Sequence, residues 1–286
     1  MIKFGVAGNS DSFFNDGYSH TVEVPSWLKR RNLDVFEYSF GRGVKLSEPT
    51  AKKIKEEFEK NDILITVHAP YYINFANPDN DKIQGTYKYL LDSLQAVAWL
   101  GGNRVVFHPG AVQKQDRAQA VNNAFENLRA FIEVKNETGF KDKIICAETM
   151  GKQGQIGTVD EIIRFCNIDD SIYPCVDFGH INAREQGILK TSSDYEAIIK
   201  KLIDEIGEEK TKHMHVHFSK IEYSVGGEVR HLTFSDNVYG PEFPPLADIL
   251  VKYGLEPIII SESAGTQAED SAFMKETYLR VLNKGM

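Results

Sequence analysis

A (β/α)8 barrel of the TIM-barrel class, forming a single domain over residues 1–286, is the fold that three observations predict. Short β-branched apolar runs alternate with helix-patterned segments along the whole chain, which implies parallel strands. Eight such units fit into 286 residues, the size of one closed barrel. No GxGxxG follows the first strand, so nothing favours an open doubly wound sheet. No Ser/Gly-rich linker, low-complexity tract or fixed-period repeat divides the chain.

The eight strands follow in order. The first is "IKFGVAG" at 2–8, then "DVFEYSF" at 34–40, "ILITVHA" at 63–69 and "RVVFHPG" at 104–110. The second half gives "KIICAET" at 143–149, "YPCVDFG" at 173–179, "HMHVHFS" at 213–219 and "PIIISES" at 257–263. Each is short and bounded by Gly, Pro or polar residues. Two helices between them are clear. Over 81–102, Ile83, Tyr87, Leu90, Leu91, Leu94 and Ala98 share a face, and Gly101-Gly102 reads as the stop. Over 120–134, Val121, Phe125, Leu128 and Ile132 repeat the stripe.

Composition narrows the function classes. The 42% hydrophobic and 26% charged residues are those of an ordinary globular enzyme or binding protein. The first ten residues lack a basic segment followed by a long apolar one, so no leader peptide is expected. No apolar run approaches the roughly 18 residues of a membrane span. Cys146, Cys166 and Cys175 form no CxxC and are odd in number, which suits a reducing cytoplasm better than disulfides. Net charge is −8, from 33 Lys and Arg against 41 Asp and Glu. A surface that binds nucleic acid everywhere would be basic, so any contact with DNA needs a local source of positive charge.

In a barrel of this kind the chemistry sits at the C-terminal ends of the strands. The third strand ends at His68 and the fourth at His108. The fifth ends at Glu148, and the sixth at Asp177 with His180 just beyond. The seventh offers His215, with His231 after its loop, and the eighth offers Glu262. Any one of these alone reads as a hydrogen-bonded rim residue or a helix cap. Five histidines and three carboxylates on one rim would be an unfavourable cluster without a cation to neutralise it. Imidazoles with carboxylates are ligands of Zn²⁺, Mn²⁺ or Fe²⁺, and eight exceed what one ion needs. Two or three divalent ions are therefore expected. On the seventh strand His213, His215 and His217 alternate, so all three are expected on one face, with at least one packing or orienting a ligand. Cys146 and Cys175 fall one layer deeper and read as core filler.

Taken together, "VHAPYYINFANP", "VVFHPGA", "AETMGKQGQIG", "CVDFGHINAREQG", "HVHFSK" and "VRHLTF" resemble endonuclease IV, the family-2 apurinic/apyrimidinic endonucleases. The resemblance runs in order over nearly the whole chain. It implies a barrel with three metal ions, usually zinc, that hydrolyses DNA on the 5′ side of an abasic site in base excision repair. His68, His108 and Glu148 would then hold one ion. Glu148 would bridge to a second held by Asp177, His215 and Glu262, which makes these three carboxylates the catalytic core. His180 and His231 would hold the third. The products would be a 3′-hydroxyl and a 5′-deoxyribose phosphate. The implied partner is double-stranded DNA with abasic sites, and a monomer is expected. By position, Tyr71 and Tyr72 would enter the base stack or wall the pocket, and Arg42 would enter it or stay in solvent. Gln153 and Lys220 would touch the phosphate backbone.

Three departures bear on substrate. Val229 stands where the family has a ligating Asp, and in a regular strand its neighbour Glu228 would face the other way. The third ion would then be weaker, completed by Glu228 through a rearranged loop, or completed by water. The family's "HDS" is His68-Ala69-Pro70, and its "HLND" is matched to His215-Val216-His217-Phe218. Two other readings therefore stay open. A single-metal sugar isomerase or epimerase of the same superfamily would use Glu148, Asp177, His215 and Glu262. A homologue that binds metal and DNA with weak catalysis is the other. The extra set His68, His108, His180 and His231 separates the nuclease from the isomerase, which has no need of it.

Overall fold

The computed structural model describes residues 1–284 of the 286. Eight parallel strands close into a barrel: β1 (Lys3–Ala7), β2 (Val35–Ser39), β3 (Leu64–His68), β4 (Arg104–Phe107), β5 (Ile144–Glu148), β6 (Ile172–Asp177), β7 (His215–Phe218) and β8 (Ile258–Ser261). Neighbours in sequence are neighbours in the sheet, and Lys3 pairing with Ile258 joins the ends. The barrel expected from the sequence is the one observed.

Eight helices wrap it: α1 (Val24–Arg30), α2 (Glu48–Asn61), α3 (Asn80–Trp99), α4 (Arg117–Glu137), α5 (Val159–Cys166), α6 (Ser192–Ile206), α7 (Pro244–Lys252) and α8 (Gln267–Lys284). In α3 the expected stripe is buried at Ile83, Tyr87, Leu90 and Leu94, and the helix stops just before Gly101-Gly102. Helix α4 starts earlier than the apolar stripe because Asp116 caps it, accepting from the Gln119 N–H at 3.2 Å. Phe125 lies at the margin of that stripe, half-buried under the Arg164 guanidinium. Most apolar burial is between sheet and helices, where each enclosed Leu, Ile or Phe contributes about 1.5–3 kcal/mol. Inside the barrel, Val106, Cys146 and Cys175 form a small separate cluster, and all three cysteines are free thiols.

Alternation along the strands carries side chains to the barrel axis. On β7, His215 and His217 face inward while Val216 and Phe218 are buried in the apolar layer between sheet and helices. His213 does not join them. It ends the short helix Glu208–Lys212, before the strand begins, with Nε2 3.6 Å from Glu209. Two small antiparallel pairs, absent from the sequence reading, raise the rim beyond the strand ends. One joins Gly110–Ala111 to Gln155–Ile156, and the other is a hairpin of Ile221–Ser224 and Gly227–His231.

Candidate metal centre

The C-terminal mouth is a cavity of about 400 Å³ lined by His68, His108, Glu148, His180, Glu228, His231 and Glu262, with Tyr71 and Lys152 at its wall. Glu148 ends β5, is almost wholly buried and faces four imidazoles. Its Oε2 lies 3.2 Å from His68 Nε2 and 3.1 Å from His108 Nε2. Its Oε1 lies 3.2 Å from His217 Nδ1 and 3.3 Å from His180 Nδ1. The two oxygens thus face two different sets of nitrogen donors.

The sixth strand tip is built by helix capping. Asp177 caps the short helix Phe178–Arg184, and its Oδ1 accepts from the His180 N–H at 2.7 Å. The Asp-x-x-His spacing brings the two side chains within 3.3 Å of each other, with His180 lining the mouth and Asp177 buried behind it. Asp177 Oδ2 is buried with no hydrogen-bond partner.

The structure corrects the seventh-strand ligand. In the parallel register His215 sits opposite Cys175, whereas His217 sits opposite Asp177. His215 is therefore one layer below the mouth, with Nε2 3.0 Å from Glu37 Oε2. His217, not His215, brings a ligand atom within 4.8 Å of Glu148, Asp177 and Glu262. The position was readable only once strand register was known.

The hairpin supplies a further correction. Its register shifts between Glu222 and Tyr223, which pair with Arg230 and Glu228, so Val229 has no partner and forms a β-bulge. The extra residue breaks the alternation. Val229 turns to solvent, and Glu228 turns to the mouth with Oε2 3.4 Å from His180 Nε2. His180, Glu228 and His231 form another group whose ligand atoms lie within 4.8 Å of one another.

Electrostatics match this arrangement. Burial alone would raise Glu148, but His108, His217 and His180 together outweigh it and hold its carboxyl well below the usual range. Burial pushes Asp177 up to about 6. Burial opposes charge on His68, yet the hydrogen bond to Glu148 together with the charges of Glu148 and Glu37 outweighs it and carries the imidazole to about 9. Buried carboxylates in this number need positive charge from imidazolium or from cations. The orphaned Asp177 oxygen and the His/carboxylate donor set fit divalent transition metals. One group is His68, Glu148 and His217, with His108 Nε2 also 3.1 Å from Glu148 Oε2. Another at the mouth is Glu148, Asp177, His217 and Glu262, and a third is His180, Glu228 and His231.

The residues expected at the substrate divide. Tyr71 is exposed and stacks beside His108, with ring centroids 6.3 Å apart. Tyr72 is exposed and leans on Tyr89. Arg42 lies exposed in the turn after β2. Gln153 is tied down, its side-chain amide donating to the Arg184 carbonyl at 2.7 Å. Lys220 is buried, its ammonium 2.6 Å from Glu242 and donating to the Asp236 carbonyl at 2.7 Å, so it is turned away from any phosphate in the mouth. Lys152, and not Gln153, lines the mouth. It is exposed on a loop whose carbonyls at Met150, Lys152 and Gln155 accept from the buried Arg184 guanidinium.

Comparison with known proteins agrees with the fold. An uncharacterised protein of Methanocaldococcus jannaschii is 31% identical over 275 residues, 96% of each chain. A protein named probable endonuclease 4 from Mycoplasmoides gallisepticum is 36% identical over 131 residues, 44% of this chain and 42% of that one. The crystal structure of a D-tagatose 3-epimerase-like protein superposes with a TM-score of 0.74 over 99% of both chains at 22% identity, a likeness of fold. The family model described as the xylose isomerase-like TIM barrel matches residues 25–277, and the chain belongs to that family.

Proposed function

We propose that this chain is a metal-dependent phosphodiesterase of the endonuclease IV type, cutting double-stranded DNA on the 5′ side of abasic sites. One observation carries the reading: His and carboxylate ligands in three groups, two of which share Glu148 and His217, meet at a single mouth. An isomerase or epimerase needs only the group of Glu148, Asp177, His217 and Glu262. The similarity to a probable endonuclease 4 supports the same reading.

Bound divalent ions would supply Lewis-acid polarisation of the phosphodiester and a ready source of hydroxide at neutral pH. The residues of the chain do the rest. Glu148 would link two of the ligand groups through its separate oxygens. Asp177 and Glu262 would complete the shared group, and Glu228 would stand in for the Asp that the family carries one position later. Lys152 would meet the phosphate backbone at the wall. Tyr71 and Tyr72, both more than half exposed, would press against the gap in the base stack, where unstacking is least costly.

The net charge of −8 favours a second reading, a sugar epimerase working through one ion. One assay separates them. Purified protein with Zn²⁺ or Mn²⁺ is expected to nick an abasic duplex oligonucleotide and leave a 3′-hydroxyl, with activity lost in EDTA and in Glu148→Gln. Ketose epimerisation without nicking would establish the second reading instead.

A further inference from the structure

Four histidines of the mouth have one ring nitrogen held by a fixed partner, and for His180 that nitrogen also lies 3.3 Å from Glu148 and Asp177. His68 Nδ1 donates to the Ala69 carbonyl at 2.9 Å, and His180 Nδ1 to the Thr149 carbonyl at 2.9 Å. His231 Nδ1 meets the Ser219 hydroxyl at 2.8 Å. These anchors are neutral. His217 differs, because its Nε2 lies 2.8 Å from a carboxylate, Oε1 of Glu37.

Glu37 is fully buried on β2 and does not line the mouth cavity. A carboxylate there is costly unless partners surround it. Thr66 Oγ1 donates to its Oε2 at 3.0 Å, and His215 Nε2 lies 3.0 Å from the same oxygen. The Thr66 hydrogen bond and the close approach of His215 occupy Oε2 and leave Oε1 to His217. The ring N–H is off the line to Oε1, so the contact is an ion-pair approach more than a straight hydrogen bond. Above the ring, Nδ1 faces Glu148 at 3.2 Å and Glu262 at 3.5 Å.

We propose that Glu37 is a positioning residue that holds the His217 ring with Nε2 turned into the barrel and Nδ1 turned to the mouth, and so sets how tightly the Glu148–Asp177–His217–Glu262 group grips its ion. This rests on the mouth being a metal centre, and it gives His215 and Thr66 a role as braces for Glu37. A carboxylate behind a ligating imidazole selects one tautomer and makes the ring a stronger donor. The competing arrangement is an ion inside the barrel, since Cys175, His215 and His217 also bring ligand atoms within 4.8 Å of one another.

The test is titration of metal-free protein with Zn²⁺ against a chromophoric chelator, with no DNA present. In Glu37→Gln one ion is expected to bind about 10–100-fold more weakly while the others hold. Excess Zn²⁺ should restore the full count, which a collapsed barrel would not allow. Cys175→Ser is expected to keep every ion. In ¹H–¹⁵N spectra of the Zn²⁺-loaded wild-type chain, His217 should be the Nε2–H tautomer. Unchanged affinity in Glu37→Gln, an Nδ1–H tautomer at His217, or loss of an ion in Cys175→Ser would each overturn the proposal. Should Glu37→Gln not fold, the wild-type tautomer decides alone. Metal affinity is read apart from DNA nicking, so failure of the nuclease reading leaves this result standing; a wild-type chain that binds no Zn²⁺ overturns it.

Discussion

Glu228 and Val229 show how one residue of backbone changes which side chain meets the mouth. In a regular strand Val229 would face His180 and leave that histidine with an apolar neighbour. The bulge sends the valine to solvent and brings in a carboxylate. Glu228 is longer than the aspartate it replaces, which suits a reach from a displaced backbone position. Glu228→Gln is therefore expected to weaken one ion by at least about tenfold, since even partners behind the ligands are worth about that much. Val229→Asp is expected to change neither count nor affinity, because residue 229 points outward. Competition titration of the two variants side by side checks this; a gain of metal in Val229→Asp would place residue 229, not Glu228, in the ligand set.

The same contrast explains what could be read from the sequence residue by residue. The positions of His68, His108, Glu148, Asp177 and His180 at the strand ends were legible because each closes a buried apolar run or sits at capping distance from one that does. His217 was blurred with His215 because a two-residue error in a strand end keeps the face and changes only the depth. The burial of Lys220 was hidden for another reason. Its partner Glu242 is 22 positions away and belongs to no shared motif.

Among the elements, the barrel strands carried strong signals and the rim pieces carried little. Buried parallel strands are continuous apolar runs, so eight of them stand out against amphipathic helices. The hairpin of Ile221–Ser224 and Gly227–His231 is short, polar and half in solvent, and its bulge depends on pairing rather than composition. It is nevertheless docked closely. Gly227 has φ +90 and an added Cβ would meet the Gly151 carbonyl oxygen at 2.1 Å, while a Cβ at Gly151 would press on Glu228 at 2.7 Å. The Glu228 N–H donates to the Gly151 carbonyl at 3.1 Å, which links hairpin and loop. Gly227→Ala is expected to cost about 1 kcal/mol or more, because alanine is strained at positive φ, and to loosen the ion near Glu228 as the hairpin lifts. Thermal melting and metal titration together check it. A stability loss with all ions held as tightly as before would mean that the hairpin does not position Glu228.

For the molecule as a whole, a net charge of −8 and a DNA substrate are reconciled only if the mouth differs in sign from the surface. Four carboxylates face it, from Glu148, Asp177, Glu228 and Glu262, and three divalent ions would bring six positive charges. The loaded mouth would then be locally cationic and draw phosphate into an otherwise acidic protein. A single ion would leave it negative, which suits a neutral sugar better. Metal content thus decides more than any other quantity. Protein dialysed free of loose metal and measured by inductively coupled plasma mass spectrometry is expected to hold two or three ions per chain, and fewer in Glu148→Gln. One ion per chain, unchanged when His68 or His180 is replaced by alanine, would contradict a multinuclear centre.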